Sequence, residues 1–118
     1  MDTQEFINGY IECMLWSTVD DEGNHLDESY GTKDISFDCF SKIKADCKSF
    51  IEAAGPLLNA LDPSSAGHDF WLTRNGHGTG FWDRNMGETG EKLSLLASSF
   101  GEFYEYLEDN AIQGESGR

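Results

Sequence analysis

HDFWLTRNGHGTGFWDR, running from His68 to Arg84, is the stretch whose reading decides the fold. It gathers two of the three Trp, two of the three His and both Arg74 and Arg84, with glycines at 76, 78 and 80. Asn75-Gly76 at its centre is a strong hairpin signal, because a type I′ turn needs positive φ at both central residues and Asn and Gly tolerate it. That turn pairs Arg74 with His77, Leu72 with Thr79, Phe70 with Phe81 and His68 with Asp83. One face of the hairpin then carries Phe70, Leu72 and Phe81, with His68 and Asp83 at the far end. The other carries Asp69, Trp71 and Thr73 against Gly78, Gly80, Trp82 and Arg84, with Trp71 lying over Gly80. Both faces are aromatic. One must line the core, and the other is either covered by a helix or offered to a ligand.

Outward from this centre the chain reads as helices before and a helix and strand after. Asp2 can cap a helix over residues 3–18, with Glu5 in the capping-box position and Phe6, Ile7, Tyr10, Ile11, Met14 and Leu15 at helical spacing. Residues 19–34 form a polar connection. Ser36 or Asp34 caps a second helix whose seam is Phe40, Ile43, Cys47, Phe50 and Ala54, with Lys42, Lys44 and Lys48 between those positions. Gly55-Pro56 interrupts it, Leu57, Leu58 and Leu61 make a short last turn, and the segment 63–67 (PSSAG) reads as a loop. Beyond the hairpin, Asn85 to Gly90 is a turn with Thr89 as a cap, and Leu93, Leu96, Ala97 and Phe100 mark a short third helix stopped by Gly101. The aromatic run Phe103 to Leu107, bounded by Asp109-Asn110, predicts a strand, and 114–118 a frayed tail. The expected fold is α+β, one globular domain over 1–118. A small antiparallel sheet, built on the 68–84 hairpin plus a C-terminal strand, is covered by two N-terminal helices and a short third helix.

Composition narrows the function classes. Hydrophobic residues at 38% and fifteen aromatics in 118 residues argue for a folded globule. No apolar run approaches the roughly 18 residues a membrane helix needs, so no membrane role is expected. Cys13, Cys39 and Cys47 form no CxxC pair and leave one thiol over in any disulfide scheme, which fits reduced core fillers in an intracellular protein. A net charge of −14 opposes binding to phosphate backbones and favours a basic partner surface. The acids concentrate in two stretches: Asp20, Asp21, Glu22, Asp27 and Glu28, then Glu102, Glu105, Glu108 and Asp109. A calcium loop beginning at Asp20 fails, since His25 stands where Gly is required and Gly31 where the bidentate Glu belongs.

Three chemistries can be tested on the hairpin. A metal pair of His68 and His77 fails, because six strand residues separate them by about 20 Å; neither metal nor cofactor is expected. His68 opposite Asp83 makes a weak candidate acid–base dyad, a carboxylate being suited to orient an imidazole, but no Ser or Cys nucleophile points at it. Trp71, Arg74, His77, Trp82 and Arg84 are the candidate contact residues, of types enriched in binding hot spots and in single-strand stacking platforms. The glycines of NGHGTG follow no strand-to-helix pattern and read as turn residues, not a phosphate loop.

The string HDFWLTRNGHGTGFWDR resembles the signature of a family of small proteins encoded by bacteriophages and prophages. The likeness extends more weakly to FINGYIECMLWST and LDESYGTKDIS. It implies phage origin and a location in the host bacterial cytoplasm, and it assigns no activity and no catalytic residue. Small acidic phage proteins include anti-restriction and anti-CRISPR inhibitors that mimic DNA. The expectation is therefore a non-enzymatic binding protein that inhibits a host nucleic-acid-handling or defence protein, its partner presenting a basic surface. The alternative is a small nucleic-acid-associated protein or enzyme using His68, Asp83 and the Trp/Arg hairpin.

Overall fold

The computed structural model describes residues 1–117. Among these the order is α1 (Thr3–Ser17), α2 (Phe37–Ala54), α3 (Pro63–Arg74), α4 (Glu88–Ser98), then β1 (Phe103–Glu108) and β2 (Ala111–Ser116). Short 3-10 turns lie at Leu26–Glu28, Thr32–Asp34, Gly55–Leu58 and Phe81–Asp83. The class is α+β, with helices packed on a two-stranded antiparallel sheet.

The hairpin, however, is not at 68–84. Residues 63–74 are helical, so the loop expected at 63–67 and the strand expected from His68 are both corrected. Asp62 caps the helix by accepting from the Ser65 N–H at 3.0 Å, and Pro63 sits at the first helical position, where its missing N–H costs nothing. The Asn75-Gly76 signal is real but serves another purpose. Gly76 has φ +69°, its N–H bonds the Thr73 carbonyl, and the His77 N–H bonds the Leu72 carbonyl at 3.0 Å. This is a Schellman close to α3, which wants the same left-handed residue a type I′ turn wants. No period was visible because α3 is buried nearly all round: Ala66, Gly67 and every residue from Asp69 to Arg74 are buried. Trp71 therefore does not lie over Gly80; Gly80 packs against Thr73, whose hydroxyl accepts from the Phe81 N–H at 3.2 Å.

The true hairpin turns at Asp109-Asn110, both with positive φ (+52° and +64°), and joins β1 to β2 in the register Phe103↔Ser116 through Glu108↔Ala111. The predicted strand at 103–107 is thus present, while the tail expected to fray from Gly114 continues β2 through Ser116. Gly114 is the reason the strand fits: a side chain there would collide with the Phe103 ring and the Cys39 sulfur. β2 is fastened to α2, where the Ser36 N–H donates to the Ile112 carbonyl at 2.9 Å and Lys42 Nζ to the Gly114 carbonyl at 3.1 Å.

The remaining helices follow the sequence closely. Asp2 caps α1 through the Glu5 N–H, and Ser36, not Asp34, caps α2 through the Cys39 N–H. The third predicted helix is α4, which begins at Glu88 after Gly87 instead of at a Thr89 cap, and Gly101 with φ +70° follows its end. The three cysteines are buried and free. Phe50 and Phe70 stack with centroids 4.2 Å apart at the centre of a core that also holds Phe6, Tyr10, Trp71 and Phe81.

Candidate functional site

The residues of 68–84 divide between core and surface once the segment is a helix and a loop. Trp71 is buried, its indole N–H donating to Ser17 Oγ at 2.7 Å. Arg74 is buried and paired with Asp46 at 2.8 Å. His77 and Trp82 are exposed. The pairing of His68 with Asp83 does not form. His68 Nε2 lies 3.2 Å from Glu12 Oε1 on α1, whereas Asp83 accepts from the Thr79 hydroxyl at 2.7 Å and the Gly80 N–H at 3.0 Å. Those bonds hold the Asp83 carboxyl below its ordinary pKa and make it a loop brace.

His68 and Arg84 do meet on one cleft, of about 720 Å³, with Glu12, Asp62, Asp69 and Met86. Arg84 donates from Nε and Nη2 to the buried Asp69 carboxylate, the shorter contact being 2.8 Å, and the pairing holds the guanidinium charged. Burial, reinforced by Asp69 and Glu12, pushes the Cys13 thiol up to about 12, so it stays protonated and unreactive at neutral pH. No group of His, Cys, Asp and Glu among the described residues is placed to hold a metal ion. The cleft has a paired histidine and a paired arginine, and no activated nucleophile among these groups.

A second cleft, of about 510 Å³, brings the two acidic stretches together. Asp20, Asp21 and Glu22 line one wall, and Tyr104, Glu105, Tyr106 and Leu107 of β1 line the other. The Thr18 hydroxyl donates to Glu105 Oε1 across the gap at 2.8 Å. A neighbouring hollow shares Thr18, Val19, Tyr104 and Glu105 and adds Glu102 and His77. Asp20 shapes the acidic wall by accepting from the backbone N–H groups of Glu22 and Asn24, both at 2.9 Å, which turns the side chains of Asp21 and Glu22 outward to solvent. Asp27 and Glu28 sit exposed on the adjoining 3-10 turn, and Glu108 and Asp109 at the hairpin tip. Large apolar surface accompanies the acids: Tyr104 is 67% exposed, Trp16 58% and Val19 52%. Trp16 stacks on His25, whose Nδ1 lies against the Trp16 carbonyl. Neither Trp16 nor Tyr104 is among the contact residues expected from the sequence. Trp16 falls off the buried stripe of α1, and a large aromatic on a helix's polar side is the signal that marks it.

Glu105 is half-buried in the wall of this cleft. Burial raises its carboxyl above the ordinary 4.5, against the lowering effect of the Thr18 hydrogen bond. A group whose folded-state pKa is raised contributes stability that is complete below 4.5 and lost as pH climbs through the folded value. Glu105→Gln keeps an oxygen for Thr18 and removes the charge. Its urea midpoint relative to wild type is expected to improve from pH 4 to pH 7. A shift in the opposite direction would show that Glu105 is stabilised as the anion.

No protein-family model matches the chain, and no curated protein or solved structure matches it either. No helix among the described residues is long and apolar enough to cross a membrane.

Proposed function

We propose that this protein is a bacteriophage-type acidic binding protein that acts in the host bacterial cytoplasm and inhibits a nucleic-acid-handling or defence protein by occupying its basic surface. The observation that carries the reading is the approach of Asp20, Asp21 and Glu22 to Glu105 across one cleft that the exposed Tyr104 and Val19 also line. Carboxylates gathered beside a cleft can release counterions from a basic groove as phosphates do, and the exposed Tyr104 supplies an anchor that charge alone lacks. The net charge of −14 supports the same reading, because it raises the rate of encounter with basic surfaces and repels nucleic acid. Of the contact residues expected in the 68–84 stretch, Trp71 and Arg74 are buried in the core and His77, Trp82 and Arg84 are exposed, and the proposed contact surface adds Tyr104 and Val19.

Affinity capture from bacterial lysate tests this. A basic nucleic-acid-binding partner is expected to be retained at low salt and released as salt rises. Replacing the exposed Asp21, Glu22 and Glu108 by their amides is expected to weaken capture by about tenfold, since each exposed charge contributes on the order of 0.2–1 kcal/mol. Binding of single-stranded DNA at moderate salt, abolished by substituting Trp82, would replace this reading with direct nucleic-acid binding.

A further inference from the structure

We infer that the free edge of β1 is a docking rail for an extended, Lys- or Arg-bearing segment of the partner, which adds as a third strand beside β1. This rests on the acidic-binder reading above and specifies how such a partner would be held. The register of the hairpin determines which backbone groups are available. A two-residue turn makes Glu108 and Ala111 a hydrogen-bonded pair, so the pairs alternate down the ladder. Phe103, Glu105 and Leu107 then belong to non-bonded pairs, and their N–H and C=O groups point away from β2. Three contacts fix this assignment. The Phe103 N–H donates outward to Asn75 Oδ1 at 2.9 Å, the Ile112 carbonyl accepts outward from Ser36, and the Gly117 N–H bonds the Glu102 carbonyl across the ladder at 2.8 Å.

The two edges of the hairpin are treated differently. The outer edge of β2 is covered by Ile35, Ser36 and Lys42. On the outer edge of β1, only Phe103 is tied down by a neighbour. The Glu105 N–H has its own carboxylate, and among the described backbone bonds none reaches Leu107 from that side. This open edge borders the second cleft, where the exposed Val19 and half-buried Tyr30 are available to alternate side chains of an added strand. β1 carries no Lys or Pro on this edge, and its charged residues, Glu105 and Glu108, repel an acidic strand while admitting a basic one. Charge selects the occupant. Asp20, Asp21, Glu22 and Glu105 beside the edge attract a basic segment and oppose a second copy of this chain, which would bring the same four carboxylates.

The probe is a synthetic peptide, Lys-Val-Lys-Thr-Lys-Val-Lys-Thr-Lys, titrated into the full chain at low salt. A control peptide of the same sequence carries N-methyl groups at alternate residues. Binding is expected, with new hydrogen-exchange protection at the Leu107 amide and affinity about tenfold weaker for the N-methylated peptide. Leu107→Pro removes the outward N–H without touching the β1–β2 ladder and is expected to lower affinity similarly, while Leu107→Thr retains it. The protection measurement uses unaltered protein, so a misfolded proline variant does not spoil the test. Equal binding of both peptides with no protection at Leu107 overturns strand addition and leaves the acidic-binder reading standing. Lysate capture without peptide binding does the same, whereas failure of both defeats the two together. Protection of Leu107 on concentrating the protein alone overturns the proposal in favour of a second copy.

Discussion

Arg74→Met is expected to destabilise the protein by about 3–5 kcal/mol, a large share of the roughly 5–15 kcal/mol that holds a domain together. The guanidinium is enclosed, and every side of it is used. Nη1 donates to Asp46 Oδ2 at 2.8 Å and to the Tyr10 hydroxyl at 3.2 Å. Nε donates to the Gly101 carbonyl at 2.8 Å, and Nη2 to the Phe100 carbonyl at 3.1 Å and Ser116 Oγ at 3.3 Å. Its carbon lies within 5.2–5.8 Å of the Phe70, Phe100 and Phe103 ring centres. One side chain thereby ties α3 to α1, to α2, to the end of α4 and to β2. Methionine fills much of the volume but deprives the buried Asp46 carboxylate of its guanidinium, leaving it the Ser116 hydroxyl, and withdraws the donor that Nε gives the Gly101 carbonyl. Burying an uncompensated charge is the costly part. Asp46→Asn in the Arg74→Met background should therefore lose much less than Asp46→Asn alone plus Arg74→Met alone. Urea denaturation of the four proteins measures this, and additive losses, or a loss under about 1 kcal/mol for Arg74→Met, would show that water reaches the pair.

Arg74 also illustrates what could be read from the sequence. The residue types in HDFWLTRNGHGTGFWDR point equally to a contact surface and to a polar core, and the deciding fact is a partner 28 residues away. Asp46 sits on the buried stripe of α2, three residues after Ile43 and four before Phe50. A carboxylate on an apolar stripe needs a buried cation, and Arg74 is the cation that answers. α1, α2 and α4 were legible because each has a capping residue or an apolar period of its own, and the strand at 103, which alone carried the α+β class correctly, because its aromatic run ends at Asp109-Asn110. α3 was not legible. Its polar members Asp69 and Arg74 are buried in ion pairs, so the apolar period of a half-exposed helix is absent, and Asn75-Gly76 satisfies helix closure and a type I′ turn alike. β2 was missed for a related reason, since Gly114 reads as a breaker unless the ring of Phe103 across the ladder is known.

The acidic cleft was half legible. The two runs of carboxylates are plain in the sequence, but their meeting depends on the chain after α1 folding back along β1, which the Thr18–Glu105 hydrogen bond records. Under the proposed function that arrangement would separate binding from stability. The outward side chains of Asp21, Glu22 and Glu108 can be neutralised without disturbing the core, whereas Asp69 and Arg74 cannot.

The second large effect is expected at Gly67, which the loop reading of PSSAG left without a role. In the fold it is the point where α3 crosses α1. A Cβ on Gly67 would lie 2.0 Å from the Phe6 carbonyl oxygen, and one on Gly9 would lie 2.1 Å from the Ser64 carbonyl oxygen. Both obstacles are backbone, so no side-chain rotation relieves the clash, and the helices must separate by more than an ångström. Separation loosens the contacts stacked on either side of the crossing, Phe6 with Phe70 at 6.0 Å and Tyr10 with Trp71 at 5.3 Å. Alanine regains about 1 kcal/mol of helix propensity over glycine, whereas overpacking a tight core costs about 1–3 kcal/mol and more when backbone must move. The clash wins, and Gly67→Ala is expected to lower stability by about 2–3 kcal/mol net, roughly 10 °C in thermal midpoint. Gly90→Ala is the internal comparison: it sits in α4 with its nearest obstacle, the Phe81 carbonyl oxygen, at 2.8 Å, so a much smaller displacement than at Gly67 relieves the clash. Thermal unfolding of the two variants should place Gly67→Ala well below Gly90→Ala. If Gly67→Ala unfolds at or above the wild-type midpoint, α1 and α3 do not cross at van der Waals contact, and the aromatic core built on that crossing is wrong.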